Sequence, residues 1–114
     1  MHEASLAYSI LETVRNQCTA NGYTKILEIR LRIGQGSGVQ ADSLHFAFDI
    51  VKKDTIADQA CLIIEQIPLG GHCKDCGRNF TIPDRYILQC PHCGCSRLTV
   101  TDGFEMDIID MEVE

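Results

Sequence analysis

The apolar residues in the first half of the chain recur with two different periods. Over residues 3–20 they recur every three or four positions, which places them on one face of an α-helix. This apolar face consists of Ala7, Ile10, Leu11, Val14 and Cys18. Asn21-Gly22 suits the left-handed conformation in which helices often end, so we predict a helix that ends there. Residues 27–33 instead alternate between aliphatic and charged side chains, which predicts a half-buried strand.

A second helix and two more strands are predicted further along the chain. Residues 44–51 repeat the helical spacing, and Asp42 or Ser43 is a suitable N-cap for this helix. Residues 60–67 are rich in aliphatic side chains and predict a strand that is buried on at least part of both faces. Residues 104–113 alternate again, and we expect this last strand to return to the sheet of the first half.

Two Cys-x-x-Cys hooks separate these regions, with thirteen residues between them and a glycine after each. The hooks are formed by Cys73 and Cys76, and by Cys90 and Cys93. A two-residue spacer lets both thiolates of one hook reach the same ion, and Zn²⁺ takes four such ligands in a tetrahedron. The glycines allow the backbone to turn back toward the sulfur atoms. We therefore expect a structural zinc site; matched glycines in both hooks disfavour reduced thiol pairs or disulfides.

The residues around the hooks complete a predicted zinc ribbon. Residues 79–82 and 86–89 indicate short strands, and 68–71 indicate a connector rich in glycine and proline. The predicted fold class is therefore α+β. A small mixed-sheet domain with two helices, made of residues 1–68 and 104–114, contains an inserted zinc-ribbon module at residues 69–103.

Composition and charge restrict the functional classes. The formal net charge of the 114 residues is −6, and residues 69–103 carry a net charge of only +1. A non-specific nucleic-acid binder would need a cationic surface, so we expect no nucleic-acid partner. No apolar run approaches the roughly 18 residues that a membrane span requires, and no signal peptide is recognisable. No nucleophile–base pair or acidic dyad is apparent, so we do not predict an enzyme.

Seven cysteines are an odd number, and four of them lie in the hooks. This usage suits a reducing compartment and a metal rather than a disulfide framework, so we predict a cytoplasmic protein. Cys18 and Cys61 fall on apolar faces and are predicted in the core, and Cys95 is predicted to be a partly buried bystander. His72 and His92, beside or inside the hooks, are interpreted as surface histidines.

The first three residues, Met1-His2-Glu3, form a chelate in principle. The free α-amine, the His2 backbone amide and the His2 imidazole can close adjoining rings on one ion. Three nitrogen atoms in a plane suit square-planar Ni²⁺, whereas Zn²⁺ prefers a tetrahedron. Any chain may begin with these residues, and an N-terminal histidine is usually only solvated.

These motifs together resemble one family, HypA/HybF, the nickel-incorporation proteins of [NiFe]-hydrogenase maturation. The resemblance rests on the N-terminal Met1-His2-Glu3, on the strand at residues 28–34, on residues 44–51, on the paired hooks and on the tail at residues 103–113. It runs from one end of the chain to the other in the expected order.

The resemblance implies two metal sites and a set of partners. His2 would bind nickel, with Met1 and Glu3 assisting, and the four hook cysteines would hold structural zinc. The partners would be a HypB-type GTPase and the large subunit of [NiFe] hydrogenase, and in some organisms urease maturation proteins. The sequence itself is compatible with a monomer or a homodimer. Some relatives carry a histidine after the second hook, and residues 96–100 contain none, so the fourth nickel donor stays open.

Two other classes remain open from the residues alone. One is a zinc-ribbon module that binds nucleic acid or the transcription machinery, which the nearly neutral ribbon supports poorly. The other is a rubredoxin-like electron carrier, because paired cysteine hooks also hold iron. Neither explains the N-terminal Met1-His2.

Overall fold

The computed structural model describes residues 3–82 and 89–114. Within these ranges the chain forms two α-helices, six β-strands and one 3₁₀ turn at Gln35–Ser37. In chain order the helices and strands are α1 (Glu3–Asn21), β1 (Ile26–Gly34), α2 (Ala41–Val51), β2 (Cys61–Ile67), β3 (Leu69–Cys73), β4 (Asn79–Ile82), β5 (Leu98–Asp102) and β6 (Met106–Val113). The predicted α+β class with two helices is confirmed.

The described residues group into two compact units, each with its own three-stranded sheet. One unit contains 3–32, 39–65 and 107–114, and the other contains 33–38, 66–82 and 89–106. The sheet orders are β2-β1-β6 and β4-β3-β5. The predicted return of the last strand to the first sheet is therefore confirmed. The domain boundaries expected from the sequence stay a prediction.

Helix α1 forms as its apolar spacing predicts. All five residues of the predicted stripe are buried, and Leu6 joins them at the edge of the same face. Helix α2 packs against α1 and buries Leu44 and Phe48. Since each fully buried aliphatic or aromatic side chain stabilises the fold by about 1.5–3 kcal/mol, this layer supplies much of the stability of the first unit.

The central strand β1 alternates as predicted, with Ile29, Leu31 and Ile33 buried and Arg30 and Arg32 exposed. Strand β6 runs antiparallel beside β1. The amide of Gly34 donates to the carbonyl of Glu105 at 2.8 Å, and the amide of Glu114 donates to the carbonyl of Lys25 at 2.8 Å. On the exposed surface, Arg30 Nε donates to Asp110 Oδ1 at 2.7 Å, which lowers the pKa of the Asp110 carboxyl group.

Two predictions for the first unit are wrong. Gln40 rather than Asp42 or Ser43 occupies the N-cap position of α2, and it makes no side-chain cap. Strand β2 is also less buried than predicted. Only Leu62 is buried, and Cys61 is exposed rather than in the core, because β2 lies at the edge of its sheet.

The ribbon unit contains two strands that the sequence pattern did not predict, β3 and β5. Residues 69–71, expected to be part of a connector, are instead the start of β3, the central strand of this sheet. Gly71 is a strand residue for a steric reason, since a Cβ there would collide with the backbone carbonyl of Thr99 in β5. The buried side chains form a small cluster of Leu69, Phe80 and Ile82.

Strand β4 confirms the predicted strand at residues 79–82. The predicted strand at 86–89 falls largely on residues 83–88, outside the described residues, and Gln89 is a bend. Neither described helix combines the length and the apolar character that crossing a membrane requires.

The contrast between Gly70 and Gly71 gives a first prediction. We expect Gly71→Ala to lower the free energy of unfolding of the metal-loaded protein by about 1–3 kcal/mol, because β3 and β5 must separate to admit the methyl group. Urea unfolding followed by circular dichroism measures this loss. Gly70→Ala is the matched control, with a smaller loss, because its nearest neighbour is Phe80 O at 3.1 Å from the new Cβ. Equal losses at both positions would contradict the steric argument.

Candidate metal centre

The two cysteine hooks close in the same way. In the first, the amide of Cys73 donates to the carbonyl of Arg78 at 2.9 Å, and Gly77 returns a hydrogen bond to the carbonyl of Cys73 at 3.0 Å. The second repeats this with Cys90 donating to Cys95 and Gly94 donating to Cys90, both at 2.8 Å. Gly77 and Gly94 have φ of 75° and 78°, a conformation that side chains other than glycine rarely adopt.

The hooks bring four sulfur atoms together. The Sγ atoms of Cys73, Cys76, Cys90 and Cys93 all lie within 4.8 Å of one another. Across the hooks, Cys73 Sγ lies 3.6 Å from Cys93 Sγ, and Cys76 Sγ lies 3.7 Å from Cys90 Sγ. A tetrahedron with Zn–S bonds of 2.3 Å has edges of about 3.8 Å, so these separations fit a four-thiolate ion.

The thiols of the cluster are free. Disulfide bonding requires sulfur atoms about 2.05 Å apart, and all seven cysteines of the chain, which lie within the described ranges, are unpaired. The two disulfides that the sequence analysis disfavoured are therefore absent from the described residues. Cys73 and Cys90, the first residue of each hook, are buried, whereas Cys76 and Cys93 are exposed. One side of the cluster is therefore open to solvent.

Backbone amides lower the proton affinity of the first thiol in each hook. The amide of Cys76 donates to Cys73 Sγ at 3.5 Å and is the main reason that the pKa of Cys73 falls to about 6. At Cys90, burial raises the pKa of the thiol. Hydrogen bonds from the backbone amides of His92 and Cys93 outweigh burial, so the pKa of Cys90 is also lowered. Both thiols are therefore prepared to act as thiolate ligands.

The second thiol of each hook behaves in the opposite way. An amide also donates to each of these sulfur atoms, from Arg78 to Cys76 and from Cys95 to Cys93. Burial and hydrogen bonding with the other cluster thiols nevertheless raise both pKa values, that of Cys93 to about 12. Without a metal, the cluster therefore shares its protons unevenly between the two positions of each hook.

The side chains of the remaining candidates from the sequence are not members of this four-sulfur cluster. Cys18 is buried on α1, with its Sγ 4.0 Å from Met111 Sδ, which confirms its prediction as a core residue. His72 on β3 is exposed and lies 3.2 Å from Asn79, measured from Nδ1 to Oδ1. His92 is exposed inside the second hook, and its backbone amide donates to Cys90 Sγ at 3.4 Å.

Of the predicted nickel residues, Met1 and His2 lie outside the described residues. Glu3, the assisting residue, is the first residue of α1 and is half-buried. A carboxylate in the first helical turn is favoured by the exposed backbone amides there, which suits an acidic residue next to a terminal chelate.

One group near the cluster was missed by the sequence reasoning. Asp75, in the spacer of the first hook, accepts a hydrogen bond from Cys95 Sγ at 2.7 Å. It also forms an ion pair with Arg97, whose Nη1 lies 3.0 Å from the carboxylate. Asp75 lies 20 positions before Cys95 and 22 before Arg97 in the chain, so no spacing rule connects it with them. Cys95 itself is partly buried, as predicted.

Comparisons with known proteins give matches over nearly the whole length of the chain. The family model described as "Hydrogenase/urease nickel incorporation, metallochaperone, hypA" matches residues 1–113. Hydrogenase maturation factor HypA of Rhizobium leguminosarum bv. viciae is 41% identical over 113 residues, 99% of each chain. HypA of Synechococcus elongatus is 39% identical over 113 residues, again 99% of each chain. Hydrogenase maturation factor HybF of Klebsiella pneumoniae is 36% identical over 114 residues and covers both chains fully.

Solved structures show the same fold. The solution structure of the Ni metallochaperone HypA from Helicobacter pylori superposes with a TM-score of 0.67, covering 99% of this chain and 97% of that one at 24% identity. A second solution structure, of a HypA protein, gives a TM-score of 0.71 over 100% and 97% of the two chains, also at 24% identity. At this identity the likeness concerns the fold alone.

The uneven proton affinities of the hooks generate a second prediction. Near neutral pH, Zn²⁺ binding should release at least two protons, one each from Cys76 and Cys93, because both pKa values are raised. Affinity should fall as the pH falls, and more steeply below about pH 6, where Cys73 also becomes protonated. Titration calorimetry in buffers of different ionisation enthalpy counts the protons. A Cys61→Ser control should release the same number; a count below two for the unaltered chain would contradict the assignment.

Proposed function

The chain belongs to the HypA family of hydrogenase and urease nickel-incorporation metallochaperones, and on that premise we propose that it binds Ni²⁺ at its N-terminus and delivers the ion during maturation of [NiFe] hydrogenase. The observation that carries this proposal is the extent of the family match. It covers residues 1–113, and so includes both the N-terminal Met1-His2-Glu3 and the two cysteine hooks.

The proposed nickel ligands are nitrogen atoms at the start of the chain. His2 contributes its imidazole and backbone amide, Met1 contributes the α-amine, and Glu3 assists from the first turn of α1. A planar set of nitrogen donors suits Ni²⁺ and disfavours Zn²⁺, which prefers a tetrahedron. Nickel here is cargo, so the site must bind the ion tightly enough to load it and weakly enough to release it.

The proposed role of the four-cysteine cluster is to hold Zn²⁺ permanently. The spacing of its sulfur atoms supports a tetrahedral ion, and the small core of the ribbon unit makes such an ion important for folding. Metal analysis separates this proposal from a rubredoxin-like iron centre. A colourless protein with zinc supports a structural role, whereas a red, redox-active protein would indicate iron.

The proposed partners follow from the family and from the names of the relatives. A HypB-type GTPase would act together with the chain in nickel delivery, and the large subunit of [NiFe] hydrogenase would be the final acceptor. The family description also includes urease, so urease maturation proteins are proposed as further partners. A metal handover of this kind involves no turnover of substrate, and we propose no enzymatic activity.

The terminal nickel site leads to a third prediction. We expect His2→Ala to weaken Ni²⁺ binding at least about tenfold, because the imidazole ligand is lost. Calorimetric titration of the untagged protein measures the affinity, and zinc content is measured on the same sample. His45→Ala, a half-buried histidine on α2, is the control and should bind nickel normally. Unchanged nickel affinity in His2→Ala with zinc retained would exclude the terminal site.

A fourth prediction concerns the α-amine. Three extra glycines before Met1 move the α-amine out of chelating reach of His2 and break the adjoining chelate rings, so nickel affinity should again fall about tenfold or more. The same three glycines added after Glu114 are the control and should leave nickel binding unchanged. If the protein extended at its N-terminus loads and transfers nickel normally, the α-amine is not a ligand.

A further inference from the structure

The two hooks are equivalent in their backbone hydrogen bonds but differ in one surrounding contact. In each hook the amide of the first cysteine donates to a carbonyl five residues later, which belongs to Arg78 in one hook and to Cys95 in the other. A fifth thiol therefore stands at the end of the second hook, where the first hook has an arginine.

Cys95 lies close enough along the chain to compete for the metal. It is two residues from Cys93, yet its sulfur is not one of the four that lie within 4.8 Å of one another. Zn²⁺ in a structural site takes four ligands, so five thiols offer alternative ligand sets. Some feature of the fold must therefore favour Cys93 over Cys95.

Asp75 provides that feature. Cys95 Sγ donates its proton to Asp75 Oδ2 at 2.7 Å, and the same sulfur accepts the backbone amide of Arg97 at 3.1 Å. The Cys95 thiol is thus engaged both as a donor and as an acceptor. The amide of Lys74 also donates to the carbonyl of Arg97 at 2.9 Å, which joins the first hook to the segment that leaves the second.

The ion pair between Asp75 and Arg97 adds little to this arrangement. The two side chains are 43% and 71% exposed, and exposed ion pairs are screened by water. The contact with the partly buried Cys95 is therefore the part of this arrangement that fixes the position of the thiol.

We propose that Asp75 is a positioning residue that determines the ligand set of the metal centre, because its carboxylate holds Cys95 away from the ion and leaves Cys93 as the fourth ligand. The proposal rests on the zinc site proposed above. When Asp75 is removed, Cys95 exchanges with Cys93. Cys95 then gives up its thiol proton and binds as a thiolate, and the released Cys93 thiolate takes up a proton, so the exchange is balanced.

Alkylation of the zinc-loaded protein with N-ethylmaleimide tests this exchange, with the modified cysteines located by peptide mass spectrometry. In the unaltered protein, Cys61 and Cys95 should react while the four hook cysteines are protected. In Asp75→Ala, Cys93 should react about fivefold faster, the size expected for the loss of one hydrogen bond, and Cys95 should react more slowly. An unchanged pattern would overturn the proposal.

A double variant separates ligand exchange from a general loosening of the hooks. In Asp75→Ala with Cys95→Ser, no fifth thiol is present, so Cys93 should be protected again. Continued fast alkylation of Cys93 in the double variant would show that the loss of Asp75 only loosens the site, and would overturn the ligand-selection role.

The control variant is Asp102→Ala, which removes an exposed carboxylate from β5 of the same unit and should leave the alkylation pattern unchanged. Zinc content is measured for every variant. An unaltered protein that binds no zinc would contradict the proposed zinc site and this inference together. Zinc-loaded variants with unaltered patterns would contradict only the role of Asp75.

Discussion

The arrangement of four sulfur atoms is the constraint on which the ribbon unit depends. Its described apolar cluster is small, with Leu69, Phe80 and Ile82 buried and Leu98 and Val100 packed against them, and so little apolar burial cannot offset the entropy of ordering the surrounding loops. The hooks instead concentrate thiols at distances that a tetrahedral ion would occupy. Glycine is required at two kinds of position in this unit. After each hook the backbone must turn tightly, and within β3 the backbone must pass close to β5.

The path of the chain connects this unit to the other one at four points. Strand β1 runs from the first unit into the loop at residues 33–38, which belongs to the ribbon unit, and the chain then returns through α2. Within the ribbon unit this loop is held by backbone hydrogen bonds, from Gly34 to Glu105 at 2.8 Å and from Gly36 to Gly103 at 2.7 Å. The last residue of β1 and the residue just before β6 are therefore held by backbone hydrogen bonds within the ribbon unit.

Local patterns in the sequence predicted the structure correctly wherever one periodicity or one spacing determined it. The apolar stripe of α1, the alternation of β1 and the ligand spacing of the hooks are of this kind. The pattern failed where a neighbour distant in sequence decided the outcome. Residues 69–71 resemble a connector because they contain two glycines, and only the approach of Thr99 explains glycine inside a strand. Strand β2 has core-like composition, but its place at the sheet edge leaves Cys61 exposed. The contact of Asp75 with Cys95 crosses twenty positions and has no signature in either hook alone.

The proposed division between two metal sites follows from the chemistry of their donors. A thiolate cluster that encloses its ion with four protein ligands leaves no open coordination position, and this suits an ion that stays. Its metal-free form retains protons on Cys76 and Cys93, so the ion must displace them, and competition from protons favours loss of the ion only as the pH falls. A terminal chelate is built from few nitrogen atoms, and a partner can replace these one at a time. Selectivity then comes from geometry rather than from affinity, because a planar nitrogen set and a tetrahedral sulfur set each disfavour the ion that the other binds.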